Sequence, residues 1–280
     1  MTPSALVPAR ASLALALALP CLTGCIVSET EVPTTSVGVE VADKFLHRGM
    51  PNNRNWVAQG NLGLGLPTTW DDGLIDVQAF GNLDLRDRTG AAWFPNGHGG
   101  RFTQIDFITA YTHDFGEDAA GLVVTAGAHN YNLPNGESFP NGPRSSTNEV
   151  FVRTSVELLE QISLRPQVEL RYDFDQADGF YGRASLGAAI PLPSDLTLGL
   201  EGGLGYSSRG QSWWNYGVRE AGFADLRGTV SLSYQFDAQT VITAHFDAST
   251  IVDDGIQDWF NVISIPEENL WGGIGVQWTF

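Results

Sequence analysis

Between Leu164 and Phe174 every second side chain is polar or charged: Arg165, Gln167, Glu169, Arg171 and Asp173. Residues two apart on an extended chain share a face, so this run makes one ionisable surface. The opposite face carries Leu164, Pro166, Val168, Leu170, Tyr172 and Phe174. The same alternation elsewhere puts Asp76, Asp84, Asp106, Glu149, Glu157, Glu201, Asp225 and Asp247 on the equivalent face, together with Arg153, Arg183 and Arg227. Ten carboxylates then stand against five guanidiniums. If that face lines a water-filled passage, the surplus of carboxylates favours cations or neutral polar solutes. If the enclosed space is narrow, the same groups brace it as an internal ion-pair network. Periodicity carries no information about a radius, so both readings stay open.

Other chemistries find less support. His245 precedes Asp247 by two residues on the inward face, and His129 lies on that face near the end of its strand. A lipid hydrolase acting at a membrane surface needs a nucleophile within hydrogen-bond reach of its base, plus an oxyanion donor. No motif in the chain assembles these, so the protein is not expected to be an enzyme. No His/Cys cluster has metal-ligand spacing, and no GxxxxGK[ST] loop occurs, so neither metal nor other cofactor is expected. With 15 Lys+Arg against 32 Asp+Glu, the net charge of −17 repels phosphates and excludes a nucleic-acid partner. Aromatic clusters at Trp93-Phe94, Trp213-Trp214 with Tyr216, and Trp259-Phe260 could stack on sugars. Folding over their own neighbourhood is the simpler use.

The elements that must position these residues are strands. Alternation begins at Val37, Val39 and Val41 and recurs in twelve segments, the last running through Leu270, Ile274, Val276, Trp278 and Phe280. Beyond the N-terminus no apolar run reaches 18 residues, which excludes a spanning helix there but not a spanning barrel. Connections sort by parity. Those after even strands are short (67–72, 115–119, 159–163, 191–195, 237–239). Those after odd strands are mostly long (85–101, 132–146, 207–221, 251–269), with Gly49 to Arg54 and Asp175 to Gly179 as shorter members. A soluble sandwich has no reason to sort its connections this way, whereas an outer-membrane barrel has short periplasmic turns and longer outer loops. Outward aromatics also gather at strand ends: Trp56, Tyr172, Phe174 and Tyr206 at the outer side, Tyr234, Phe236, Trp278 and Phe280 at the periplasmic side. The expected fold is therefore all-β, a closed antiparallel transmembrane β-barrel of about 12 strands over residues 37–280. Both termini would be periplasmic.

Three motifs carry resemblances. The ending WGGIGVQWTF, Trp271 to Phe280, resembles the C-terminal assembly signal of Gram-negative outer-membrane barrels, which implies that Trp278 and Phe280 are read by the barrel-assembly machinery. The segment VEVADKFLHRG, Val39 to Gly49, resembles the first strand of TorF-type porins, and YDFDQADGFY, Tyr172 to Tyr181, resembles their acidic strand and turn. This resemblance spans about Val37 to Phe280 and implies an outer-membrane porin passing small polar solutes by passive diffusion. The alternatives are a barrel hydrolase acting on lipid and a lipid-anchored structural β-protein.

Residues 1–24 read as a signal peptide, with Arg10 ahead of an apolar stretch from Ala11 to Leu22. Its end, Leu22-Thr23-Gly24-Cys25, resembles the bacterial lipobox, which implies cleavage before a lipidated Cys25. Residues 25–36 would then link the acyl chains, seated in outer-membrane lipid, to the barrel. Cleavage would leave Cys25 as the sole cysteine, so no disulfide framework is available. Wild-type protein is therefore expected to incorporate labelled fatty acid in cells and Cys25→Ser to incorporate none. Equal labelling of the two would remove the anchor.

Overall fold

The computed structural model describes residues 32–68, 71, 73–86, 99–116, 121–134, 146–159 and 162–280. Cys25, the signal segment, Trp93 and Phe94 lie outside the described residues. In chain order the strands are β1 (Thr34–Ala42), β2 (Phe45–His47), β3 (Met50–Asn53), β4 (Val57–Pro67), β5 (Leu74–Asp84), β6 (Phe102–Asp114) and β7 (Leu122–Asn132). They continue as β8 (Ser146–Val156), β9 (Arg165–Asp173), β10 (Gly179–Leu192), β11 (Leu196–Ser207), β12 (Gly222–Gln235), β13 (Thr240–Ile251) and β14 (Glu268–Thr279). Among the described residues two helices stand in connections at one end of the barrel, α1 (Arg209–Tyr216) and α2 (Asp254–Val262). Every strand except β2 and β3 belongs to one closed barrel of twelve staves, in which sequence neighbours pair antiparallel and β1 closes on β14.

Closure is carried by an unbroken register, from Ser36 opposite Thr279 to Ala42 opposite Gly273. The last residue extends it: the Phe280 amide donates to Thr35 O at 2.8 Å and the Thr35 amide to Phe280 O at 3.0 Å. Each stave is therefore paired on both sides.

The outward face is apolar around the circumference. Val39, Val77, Phe107, Val152, Leu170, Val230, Phe246 and Ile274 are all exposed, Leu170 to 57%. In water such a contiguous belt would drive aggregation, and in a bilayer it is the surface that lipid requires. No helix among the described residues is long and apolar enough to cross a membrane. The belt ends in aromatics where the sequence puts them: Trp56 and Phe174 at one rim, Phe236 and Phe280 at the other, all exposed.

Turns at the lower rim are tied by their own polar groups. The Gln239 amide donates to Asp237 at 2.9 Å. In the 68–73 turn, a hydrogen bond from the Tyr111 hydroxyl holds the Asp71 carboxyl below the usual carboxylate range.

One connection departs from the sequence reading. Gly49 to Arg54, expected as part of an outer loop, belongs instead to the β2–β3 hairpin, and Met50, Pro51, Asn52 and Asn53 are buried. Two of the long connections also hold short helices. α1 stops at Gly217, whose φ of 81° is the left-handed conformation glycine adopts without strain. α2 starts at Asp253, whose carboxylate accepts the Ile256 amide at 3.1 Å.

The belt generates a depth-dependent prediction. Val230→Arg, in the middle of a lipid-facing row, should destabilise the barrel by about 2–4 kcal/mol. Val262→Arg, on an equally apolar but extramembrane residue at the end of α2, should stay within about 0.5 kcal/mol. Urea titration of the protein in liposomes measures both, and equal costs would contradict the membrane placement.

Candidate functional site: a charged lumen crossed by a hairpin

The inward charges are not free. On the β8–β9 wall, the Glu169 carboxylate lies between two guanidiniums, accepting from Arg171 Nε at 2.5 Å and Arg153 Nε at 2.9 Å. Arg171 also donates to the Tyr131 hydroxyl at 3.1 Å, lies 3.0 Å from His129 Nδ1, and reaches Glu149 at 3.5 Å. Its guanidinium stacks over Phe151 at 4.8 Å. On the opposite wall, Asp247 accepts from Arg227 at 2.7 Å, Thr229 at 2.6 Å and His245 at 2.5 Å. The other ring nitrogen of His245 meets Glu40 at 3.1 Å, and Arg227 stacks over Trp271 at 4.9 Å. Between these walls Arg183 donates to Glu201 at 2.8 Å, and the Tyr181 hydroxyl donates to Asp225 at 2.9 Å.

The other sequence-predicted residues take separate places. Asp106 is buried, accepting from Gln104 at 2.7 Å with His129 Nε2 3.2 Å away. Asp173 accepts from Thr147 at 2.6 Å and from the amides of Asp175 and Gln176, so it caps the turn after β9. Asp84 likewise accepts the Arg86 amide at 3.0 Å at the top of β5. Asp76 is half-buried near the lower end of β5. Glu157 and Arg165 pair at 3.2 Å but are half-exposed at the lower rim, where Glu157 follows the end of β8 and Arg165 opens β9.

Glycines receive the larger inward side chains. A Cβ at Gly203 would come within 2.7 Å of Arg183 Nε, one at Gly205 within 2.3 Å of the Tyr181 hydroxyl, and one at Gly273 within 2.6 Å of His245 Nε2. Each long side chain therefore lies against the wall of the next strand instead of projecting along the radius.

Across this lumen runs the β2–β3 hairpin. Its base is fixed by Phe45, which packs with Ala42, Val57 and Phe80 beside β1 and β4. Asn52 donates to Gln104 at 3.3 Å, and Asn53 accepts from Asn82 at 2.8 Å and Thr103 at 3.0 Å. Its tip reaches the far side. Arg48 Nη2 lies 2.7 Å from both Glu149 oxygens on β8, and the guanidinium sits 4.5 Å over the Tyr181 ring on β10. The Tyr216 hydroxyl of α1 donates to the Arg48 carbonyl at 2.8 Å. Met50 enters an apolar cluster with Tyr216, Ile251, Ile256 and Phe260, so the aromatics of α1 and α2 close over the hairpin. A cavity of about 10 Å³ remains beside it, lined by Glu40, Lys44, Gln59, His245 and Trp271, with room for about one water.

Sequence reasoning missed Arg48, Glu40, Tyr131 and Tyr181. Glu40 and Tyr181 keep the alternation of their strands and could have been read from it. Arg48 stands in a turn, where periodicity gives no facing.

No family model and no curated protein matches the chain. Solved structures do. An outer membrane channel from Pseudomonas putida F1 matches with a TM-score of 0.54 at 12% identity, over 89% of this chain and 95% of that one. The NanC porin matches with a TM-score of 0.50 at 11% identity, over 86% of this chain and 98% of that one. At these identities the likeness is one of fold, and the fold is that of outer-membrane β-barrels.

The Glu169 geometry makes a specific prediction. Glu169→Gln strips Arg153 and Arg171 of their shared counter-charge and should cost about 3–5 kcal/mol. Glu157→Gln, at the exposed rim, should cost less than about 1 kcal/mol. Urea denaturation in detergent micelles compares them, and similar losses would show that the interior network is solvated like the rim.

Proposed function

We propose that the protein is an outer-membrane channel for passive passage of small polar solutes. One observation carries this reading: the barrel is apolar outside, whereas its interior face is charged or polar on most strands, with the long inward side chains laid on glycines against the wall. A barrel serving only as a scaffold gains nothing from keeping large polar groups off its axis. The similarity in fold to an outer membrane channel and to a porin supports the same reading, as does the sequence resemblance to TorF-type porins. On this reading the lumen is lined by the inward residues from Asp76 to Asp247, and barrel-assembly machinery inserts the chain through Trp278 and Phe280. Cys25 holds the N-terminus to the inner leaflet. The excess of inward carboxylates over guanidiniums supports a weak preference for cations, tempered because so many are engaged by arginine, tyrosine or backbone donors.

Purified protein in planar bilayers under a salt gradient tests the proposal. Discrete openings of any frequency are expected, with a reversal potential displaced toward that of the cation. Displacement toward the anion would overturn the charge argument, and a fully folded protein that never conducts would overturn the channel.

A further inference from the structure

Ala42 and Val57 stand directly opposite each other in the β1–β4 ladder. Neighbouring antiparallel strands in that register can be joined by a two-residue turn. The chain instead spends residues 43–56 on the connection and folds them into the lumen. Nothing in barrel closure demands this excursion, because β2 and β3 pair only with each other and share no ladder with any stave. Backbone bonds tie the ends of the excursion to the barrel, Asp43 N to Gly272 O at 3.1 Å and Leu85 N to Trp56 O at 3.0 Å, while β2 and β3 are held to the wall by contacts that involve side chains.

Its tip is also backbone-strained. Arg48 has a φ of 51° and Gly49 a φ of 77°. Glycine occupies that region freely, whereas an arginine there costs about 1–2 kcal/mol. The first position of such a turn usually falls to Asn, Asp or Gly. Arginine's presence is explained by what it reaches: both oxygens of Glu149 through Nη2, and the face of Tyr181. The carbonyl of the same residue accepts from Tyr216. One residue thus ties the tip to β8, to β10 and to the helix over the mouth. A Cβ at Gly49 would meet Ile251 at 2.9 Å and Asp225 at 3.0 Å, so the tip also lies against β12 and β13. The bar therefore extends from the β1–β4 side to staves on the far side.

We propose that this hairpin is a displaceable gate, held across the lumen by an Arg48 latch, and that the channel is closed until the latch releases. The inference rests on the channel reading. Three features make the hairpin movable where the wall is not. Its two strands share no ladder bond with the barrel, its anchors are side-chain contacts that can break one at a time, and both its ends join neighbouring staves that stay paired without it. The contacts opposing its release include the Arg48 bonds, the asparagine contacts at its base, Lys44 Nζ to Leu270 O at 2.8 Å, and the apolar seats of Phe45 and Met50.

Single-channel recording compares four folded proteins, each checked for heat-modifiable migration: wild type, Arg48→Gln, Tyr216→Phe, and a chain in which 43–56 is replaced by Asn-Gly. Wild type is expected to open rarely. Arg48→Gln should raise the open fraction at least about tenfold, the change produced by losing ~1.4 kcal/mol of latch. Tyr216→Phe, which removes one hydroxyl and leaves the ring, should shift it less in the same direction. The hairpin-less chain should conduct continuously at no less than the wild-type open level. Equal open fractions in wild type and the hairpin-less chain would overturn the gate and leave the channel standing. An unchanged open fraction in Arg48→Gln, with the hairpin-less chain open, would overturn the latch. A folded hairpin-less chain that never conducts would overturn the channel reading and the gate with it.

Discussion

Every amide and carbonyl inside an apolar layer must find a partner within the protein, and the rest of this structure follows from that requirement. A sheet meets it only by closing. Here closure falls to the pairing of the first stave with the last, Ser36 to Ala42 against Gly273 to Thr279. The chain ends where the ladder ends, with Phe280 bonded in both directions to Thr35. Once the ring is closed, side chains are sorted by pleat alone: odd and even positions meet different solvents, and a slip of one residue would turn the charges to lipid.

That sorting changes what a buried charge costs. In a dry core, Glu169 between two guanidiniums would lose heavily on desolvation, and a hydrophobic replacement could be as stable. Here the pair is hydrogen-bonded as well as charged, Arg171 also meeting Tyr131, His129 and Glu149, so the groups are satisfied where they are buried. The pairs accordingly run between adjacent strands, Arg153 with Glu169, Arg183 with Glu201, Arg227 with Asp247. They stitch neighbouring staves and leave the axis clear. Two pairs among the described residues reach further: His245 on β13 meets Glu40 on β1 across β14, and Arg48 of the hairpin meets Glu149 on β8.

The difference between legible and illegible features follows the same physics. Staves are readable because lipid and lumen impose opposite chemistries on alternate residues over nine or more positions, as in Arg165 to Asp173. Connection parity pointed to the closed ring. The hairpin carried no such signal: β2 has three residues and β3 four, Pro51 interrupts the second, and both faces of the hairpin are enclosed by protein, so Phe45, Leu46, Met50, Asn52 and Asn53 are buried alike. With no second solvent there is no alternation. The partnering of inward charges was equally unreadable, since a sequence says that Asp225 points in but not that Tyr181 and Tyr216 point at it. Glu157 and Arg165 followed the pattern to its end, where the wall stops and the rule with it. The aromatics Tyr216 and Phe260 did take the simpler role, packing against each other 6.2 Å apart over the hairpin.

The position of the hairpin in the chain also sets when it can dock. It follows the first stave, and its own strands pair over a turn of two residues, so it can form as soon as it is made. Its tip contacts come from much later in the sequence: Glu149 lies 101 residues on and Tyr216 lies 168. Contacts of that separation carry the full cost of ordering the chain between them, and the ladders of the barrel wall bear that cost. The hairpin adds no ladder bond to the wall that carries those partners. An element outside the ladders can leave without unfolding what encloses it.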